Sequence, residues 1–433
     1  MMQDNRAVFK TLNRYFKTVE GMSVEFAVQR NRLCPLNGIL PYIDRQHLNN
    51  KTSSSRGKSH QFSNYAWYPP LSVMYKINDP RPCRILKAHY QGIDTKKAKL
   101  QVAYFTLLLK GFLKKFLIPS YILIHVENGD REKITDFLGG MVFGGLGSKI
   151  KIFKFDEGKV LNLLKKGYDK SFLLNEIKVR KDFEQVLPLP KLLAIDREIG
   201  LFEEEYLPAP PVRQLNVQTW PLLSDLFDKL LLYYRKNHII SISTKEYQSI
   251  LLSKIHDSSY LLSPATRQKL TKTLSILSEN FTTEPEDETL LVQGHGDFWL
   301  GNILLDENSR RLLLIDWERA DQYSLMYDLF TLFAMYSVEQ CNFKLLKTVL
   351  ESGANYLPAI DTLSKYHEQF SASCDRPSLK RQFRIFLMEK ISFSLSFLVA
   401  TPLTDQRAQE EFNRWQAFTL ALLKEGILTD PTL

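Results

Sequence analysis

Gln293-Gly294-His295-Gly296-Asp297-Phe298-Trp299-Leu300-Gly301-Asn302, followed by Leu314-Ile315-Asp316-Trp317-Glu318, is the stretch that decides how this chain is read. The glycines make a tight loop around Asp297, and Asn302 stands five residues on. Arg311-Leu312-Leu313-Leu314-Ile315 reads as a strand that delivers Asp316 at its end. Asp297 can accept a proton from a hydroxyl and orient it. Asn302 and Asp316 can offer oxygens to magnesium, a hard ion that takes oxygen donors in near-octahedral geometry. A base and two magnesium ligands are the equipment for moving a phosphoryl group from ATP. His295 suits a hydrogen bond that shapes the loop. Asp328, at the start of an apolar helix, suits a structural carboxylate at a helix N-terminus. The other reading of the acidic pair is a loop carboxylate and a capping carboxylate with no metal.

Upstream, Gly139 to Ser148 is a glycine-rich turn between apolar runs, with Gly144, Gly145 and Gly147 placed where backbone N–H groups could approach phosphates. Lys149 to Phe155 alternates with period two and predicts a half-buried strand; Asp156-Glu157-Gly158-Lys159 turns it back into Val160 to Lys165. A helix is expected over Phe172 to Phe183. Leu161-x-Leu163-x-Lys165 keeps one strand face, so Lys165 is the residue expected to reach the nucleotide phosphates, held by an ion pair to Glu176 on the helix. Leu201 to Pro211 is a strand entering a proline-rich connection, where backbone groups near Glu205 and Leu207 could bond an adenine; a plain interdomain linker would look the same.

Residues 1–90 are less legible: a weakly helical stretch from Asp4 to Glu20, a polar loop over 49–64, and Tyr65 to Pro70 as an ordered aromatic loop. From Thr95 to Ile118 a helix is expected. Its apolar stripe reads as core-facing with a solvated lysine edge, the alternative being a basic helix on a membrane surface. Tyr121 to Val126 reads as a buried strand. Residues 218–280, 343–368 and 378–426 are helical by pattern.

The chain has 433 residues, 44% hydrophobic and 24% charged, which is ordinary globular usage with room for two or three domains. The net charge of +9 is diffuse and comes with no nucleic-acid-binding signature, so no nucleic-acid partner is expected. Four scattered cysteines, without CxxC spacing, argue against a zinc site or disulfide framework and for a reducing, cytoplasmic location. The first residues lack the apolar core of a signal peptide.

His295-Gly296-Asp297, Asn302, Ile315-Asp316-Trp317-Glu318 and Tyr327-Asp328-Leu329 resemble the aminoglycoside phosphotransferase and choline kinase superfamily, with local similarity to fructosamine, choline and thiamine kinases. The likeness covers about 139–335. It implies an α+β, protein-kinase-like two-lobe fold. The expected division is an N-terminal extension of unknown role (1–135), a small mixed β lobe (136–208) and a large helical lobe (209–433). It also implies ATP and Mg2+ as cofactors, a buried bracing role for Asp328, and an enzyme that phosphorylates a small molecule. Trp299, Trp317, Glu318 and Asp321 follow the reacting residues and could face the acceptor. Aromatics with carboxylates suit a cation, hence an amino sugar, an aminoglycoside, a choline-like amine or a cell-envelope sugar. The contrasting class is a catalytically silent, kinase-fold nucleotide-binding module, associated with a membrane through the 95–118 helix.

Overall fold

The Lys149–Lys154 and Lys159–Leu164 strands form the hairpin that the alternation predicts, in a register running from Lys149↔Leu164 to Lys154↔Lys159. This hairpin belongs to a computed structural model that describes residues 6–30, 59–93, 95–110, 117–118, 120–127, 130–144, 147–216, 218–278, 288–306, 308–340, 342–352, 365–370, 376–400 and 406–428. The described residues divide into two units, the first comprising 1–91, 96–177 and 190–210, the second 92–95, 178–189 and 211–433.

The first unit runs α1 (Arg6–Val19), β1 (Ser23–Arg30), β2 (Ser59–Tyr68), β3 (Val73–Lys76), α2 (Arg81–Tyr90), α3 (Lys96–Leu109), β4 (Ser120–Glu127), α4 (Arg131–Leu138), β5 (Met141–Phe143), β6 (Lys149–Lys154), β7 (Lys159–Leu164), the first half of α5 (Ser171–Phe183, of which 178–183 belong to the second unit), β8 (Leu192–Asp196) and β9 (Leu201–Glu205). Its strands make one nine-stranded antiparallel sheet in the order β1-β4-β2-β3-β5-β6-β7-β9-β8.

That order corrects the expected boundary at 135/136. β3 pairs with β5 through Val73↔Phe143, Met74↔Val142 and Tyr75↔Met141, so the extension and the small lobe share one sheet. Tyr65 to Tyr68 is likewise not a loop but the end of β2, a strand inside the sheet. Its alternation was readable: Tyr65 and Trp67 go to one face, Ala66 and Tyr68 to the other. On the first face, Ile150, Ile152, Leu161 and Leu163 meet Val8, Leu12 and Phe16 of α1, an i, i+4, i+8 stripe. Each side chain so enclosed contributes about 1.5–3 kcal/mol of burial. On the other face Phe105 and Leu108 of α3 pack with Tyr68 and Leu86, which is the core-facing arrangement expected for that helix. The rest of the expected basic helix, 111–116, lies outside the described residues, as does the polar loop up to 58.

The second unit contains α6 (Thr219–Lys236), β10 (Ile240–Ser243), α7 (Thr244–Ser258), α8 (Pro264–Ser278), β11 (Glu288–Gly294), β12 (Ile303–Asp306), β13 (Arg311–Leu314), β14 (Asp321–Ser324), α9 (Tyr327–Glu339), α10 (Lys344–Ser352), α11 (Arg376–Ala400) and α12 (Gln406–Lys424). It is mainly helical, with a β10-β11-β14 sheet and a β12-β13 ribbon. The class is therefore α+β. Ile240 to Ser243 departs from the helical reading because Ile-Ser-Ile-Ser has period two and pairs with β11 through Ile240↔Leu291 to Ser243↔Glu288. α9 is apolar almost all round, with Leu329, Phe330, Leu332, Phe333 and Ala334 buried, and it carries Asp328 into the core on its first turn. Among the described residues no helix is long and apolar enough to cross a membrane.

Because β5 depends on β3 for its pairing and α1 covers the β6–β7 hairpin, removal of residues 1–135 exposes a sheet edge and one side of the core. The truncated chain is expected to lose cooperative unfolding and monodisperse behaviour, as read by circular dichroism melting and size-exclusion chromatography.

Candidate functional site

The first set of candidate residues lies in the first unit. Gly144 closes β5, and its N–H donates to the Ser72 carbonyl at 2.9 Å. A Cβ there would run into Val8 Cγ2 and the Ser72 carbonyl, so this glycine answers to packing under α1 and its N–H is committed to the sheet. Gly145 lies outside the described residues. The Gly147 carbonyl accepts from Lys165 Nζ at 2.6 Å, and the Lys165 N–H donates to Ser148 at 2.8 Å.

Glu176 is buried on α5, as the helical pattern requires, but the ion pair the structure gives it is with Lys149, at the start of β6. Lys165 is the residue expected there from the sequence. The physical reason is strand parity: continuing Leu161 and Leu163, Lys165 follows the face that α1 covers, whereas Lys149 shares the other face with Lys151 and Phe153. Alternation along both strands of the hairpin carries the signal for this. The Glu205 N–H donates to the Lys191 carbonyl at 2.9 Å and so is taken up by the sheet; Leu207 lies half-buried in the proline-rich connection.

The second set lies in the second unit and is built on Asp328. Its buried carboxylate accepts from the His295 N–H at 2.7 Å, the Gly296 N–H at 3.1 Å and the Tyr234 hydroxyl at 2.7 Å. The loop can turn so closely because Gly296 has φ +82°, and a Cβ there would strike the Arg319 carbonyl. His295, also buried, accepts from the Asp297 N–H at Nδ1 (3.2 Å) and bonds the Ile315 carbonyl through Nε2 (2.9 Å), which selects the Nε2–H tautomer. It therefore ties the Asp297 loop to the strand end carrying Asp316.

Asp297 is half-buried, and Asn302 Nδ2 donates both to its carbonyl (2.9 Å) and to its Oδ2 (3.1 Å). That leaves Oδ1 as the Asn302 atom able to ligate an ion. The β12–β13 register puts Ile303 opposite Leu314, and the Ile315 N–H donates to the Asn302 carbonyl at 3.1 Å, so Asn302 and Asp316 stand at one end of the ribbon. Asp316 adopts φ +71°, ψ +55°, a left-handed conformation costing roughly 1–2 kcal/mol in an L residue. One amide oxygen and one carboxylate fit magnesium that keeps its other positions for phosphate and water. Among the described residues no group of three or more His, Cys, Asp or Glu could hold a metal.

The four acceptor-facing candidates separate. The Trp317 indole is fully buried against His295 (4.4 Å between centroids) and Tyr233 (5.4 Å), and Glu318 is buried too, so neither offers a surface to an acceptor. Trp299 is half-buried with its indole against Gly301; Asp321 is exposed on β14. Aromatic and carboxylate groups are present, but they hold the chain's own cations. Lys390 Nζ lies 4.3 Å from the Tyr327 ring centroid, 5.0 Å from Trp415 and 5.7 Å from Phe386. It donates to the Gly296 carbonyl at 3.3 Å. Arg319 forms a bidentate pair with Glu411 (2.6 and 2.9 Å) and lies 5.1 and 5.0 Å from the Phe393 and Phe397 rings. Burial opposes the Arg319 charge, yet Glu411 and then Asp297 hold its pKa well above the ordinary value. Burial pushes Lys390 down to about 8, against the pull of Asp297. Next to it, burial raises Glu389 to about 7 although Ser324 and Tyr247 donate to it. Sequence reading missed these groups because their partners lie far away in the chain: Glu411 is 92 residues from Arg319.

Residues 171–349 match the phosphotransferase enzyme family APH. The match takes in Glu176, the Asp297 loop, Asn302, Asp316 and Asp328. It bears out the resemblance seen in the motifs and puts the chain in the class of small-molecule phosphotransferases. Comparison with curated proteins gives no match. Similar solved structures include a choline/ethanolamine kinase family protein from Mesorhizobium loti, 14% identical, covering 68% of this chain and 93% of that one with a TM-score of 0.41. Choline kinase LicA from Streptococcus pneumoniae is also 14% identical, covering 67% and 97% with a TM-score of 0.42. An ethanolamine kinase from Plasmodium vivax is 11% identical, covering 81% and 96% with a TM-score of 0.41. At such scores no residue role passes from them to this chain.

Two measurements test this geometry. Asp328→Ala strands two buried N–H groups and the Tyr234 hydroxyl, so the folded state should lose at least about 3 kcal/mol in denaturant titration. Glu389 has a folded pKa of about 7 against 4.5 unfolded, so the advantage of its protonated form is complete below 4.5 and is lost as pH rises through 7. Wild-type stability should fall between about pH 5 and pH 7.5, and Glu389→Gln should remove on the order of 3 kcal/mol of that fall. An unchanged slope would refute it.

Proposed function

We propose that this phosphotransferase moves the γ-phosphoryl group of ATP, with Mg2+, to a hydroxyl or amine of a small molecule. The observation that carries the reading is the Asp297 loop, in which Asn302 holds the Asp297 carboxylate while His295 and Asp328 hold the backbone around it. A base so restrained loses little entropy on reaching the productive geometry. Asp297 orients the acceptor and takes its proton as the new bond from acceptor oxygen or nitrogen to Pγ forms. The bond from Pγ to the ADP oxygen breaks, ADP departs with that electron pair, and Asp297 returns its proton to solvent. Asn302 Oδ1 and the Asp316 carboxylate would hold magnesium, which would offset negative charge on the transferring phosphoryl group.

For the acceptor, Trp299 and Asp321 remain the candidates with surface to offer, and an amino sugar, aminoglycoside, choline-like amine or cell-envelope sugar remains the proposed class. Incubation with magnesium-ATP and a metabolite panel, read by mass spectrometry, should show one acceptor gaining about 80 mass units, the increment of a phosphoryl group. Asp297→Ala should reduce that transfer by at least about 1,000-fold while nucleotide still raises the melting temperature. Full transfer by Asp297→Ala would remove the mechanism. Nucleotide stabilisation without transfer to any acceptor would point to a silent binding module.

A further inference from the structure

We propose that Lys149, the first residue of β6, supplies the ammonium that meets the donor's phosphates, and that Lys165 instead positions the glycine turn. The inference rests on the nucleotide-using reading above and assigns within it a residue that the order glycine turn, hairpin, helix does not single out.

Three observations carry it. The carboxylate on α5 that can fix a lysine, Glu176, is 1% exposed and forms its buried ion pair with Lys149. An ammonium tethered this way is held to one position, as a phosphate-binding group must be. Second, the face of the hairpin on which Lys149 lies carries Val160, Asn162 and Leu164 from β7, so β7 offers no cation there. At the middle position Asn162 is neutral and buried, with its Nδ2 donating to Glu204 at 2.9 Å. Of the hairpin's two strands, only β6 carries cations on this face, Lys149 and Lys151, and of these Lys149 is the one paired with Glu176. The Lys149 ammonium also lies 5.8 Å from the Phe202 ring, on β9. Third, Lys165 is occupied locally: its Nζ donates to the Gly147 carbonyl and its N–H to Ser148, two bonds that brace the backbone leading out of the glycine turn.

Exchanging the two roles has a chemical consequence. A lysine at the end of β7 would lie beyond the hairpin's last pair, whereas Lys149 directly follows Ser148 and the turn. The Lys149 ammonium is thus only two residues from Gly147 in the chain.

The test compares ATP with adenosine, which lacks phosphates, by isothermal titration of the full chain in magnesium buffer. Lys149→Met leaves Glu176 buried and unpaired and can fail to fold, so the decisive variant is Lys149→Met with Glu176→Gln, a neutral pair of similar volume. It should melt near the wild type and bind adenosine within about twofold, yet lose about 10- to 100-fold in ATP affinity, the weight of one charge-assisted contact. Lys165→Met should change the ATP-to-adenosine ratio far less. The assignment is overturned if the double variant keeps the wild-type ratio, or if Lys165→Met is the change that abolishes it. Failure of the wild type to bind either ligand would instead sink the nucleotide-using reading on which the assignment rests.

Discussion

The buried carboxylate of Asp328 is the point on which the second unit's site depends. It enters the core on the first turn of an apolar helix and is satisfied by two consecutive N–H groups of the His295-Gly296 loop and by Tyr234. A charge in that position is tolerable only because every bond is made, and each bond in turn dictates where the loop lies. Gly296 then needs a positive φ, Asp297 emerges half-exposed, and His295 bridges to the strand end at Ile315. One constraint thus orients the proposed base and ties it to the segment carrying Asp316.

Around this anchor the chain places charge where water does not reach. Arg319 with Glu411, Lys390 among three aromatic rings, and Glu389 beneath Ser324 and Tyr247 all sit near the Asp297 loop. Lys390 and Glu389 have opposite burial shifts that bring both toward neutrality. Arg319, paired bidentately, keeps its charge. The aromatic and acidic side chains that hold these cations, Tyr327, Phe386, Trp415 and Glu411, are other than those the sequence assigns to a cationic acceptor. The aromatic box around Lys390 is filled by the chain itself.

The first unit shows a different dependence. Nine strands in one sheet mean that the glycine turn and the β6–β7 hairpin are not an independent small lobe with an appendage. α1 covers one face of the hairpin and forces glycine at 144, so the extension shapes the very segment proposed to meet the nucleotide. The face left to Lys149 and Glu176 is decided by that covering.

Much was legible from local pattern. The Asp297 loop, Asn302 and Asp316 are close in sequence, and their glycines and strand alternation act over a few residues. The β6–β7 hairpin, the Glu176 helix and the apolar helix after Asp328 follow from periods of two and 3.6 for the same reason. What local pattern cannot supply is which of two faces is covered and by what. Alternation said that Lys149 and Lys165 lie on opposite faces, but only the docking of α1, more than a hundred residues earlier in the chain, decides that Glu176 meets Lys149. The β3–β5 pairing, the burial of Trp317 and the Arg319–Glu411 pair are decisions of the same kind. They depend on surfaces brought together by folding, whose free energy belongs to the assembled core and not to any short stretch of sequence.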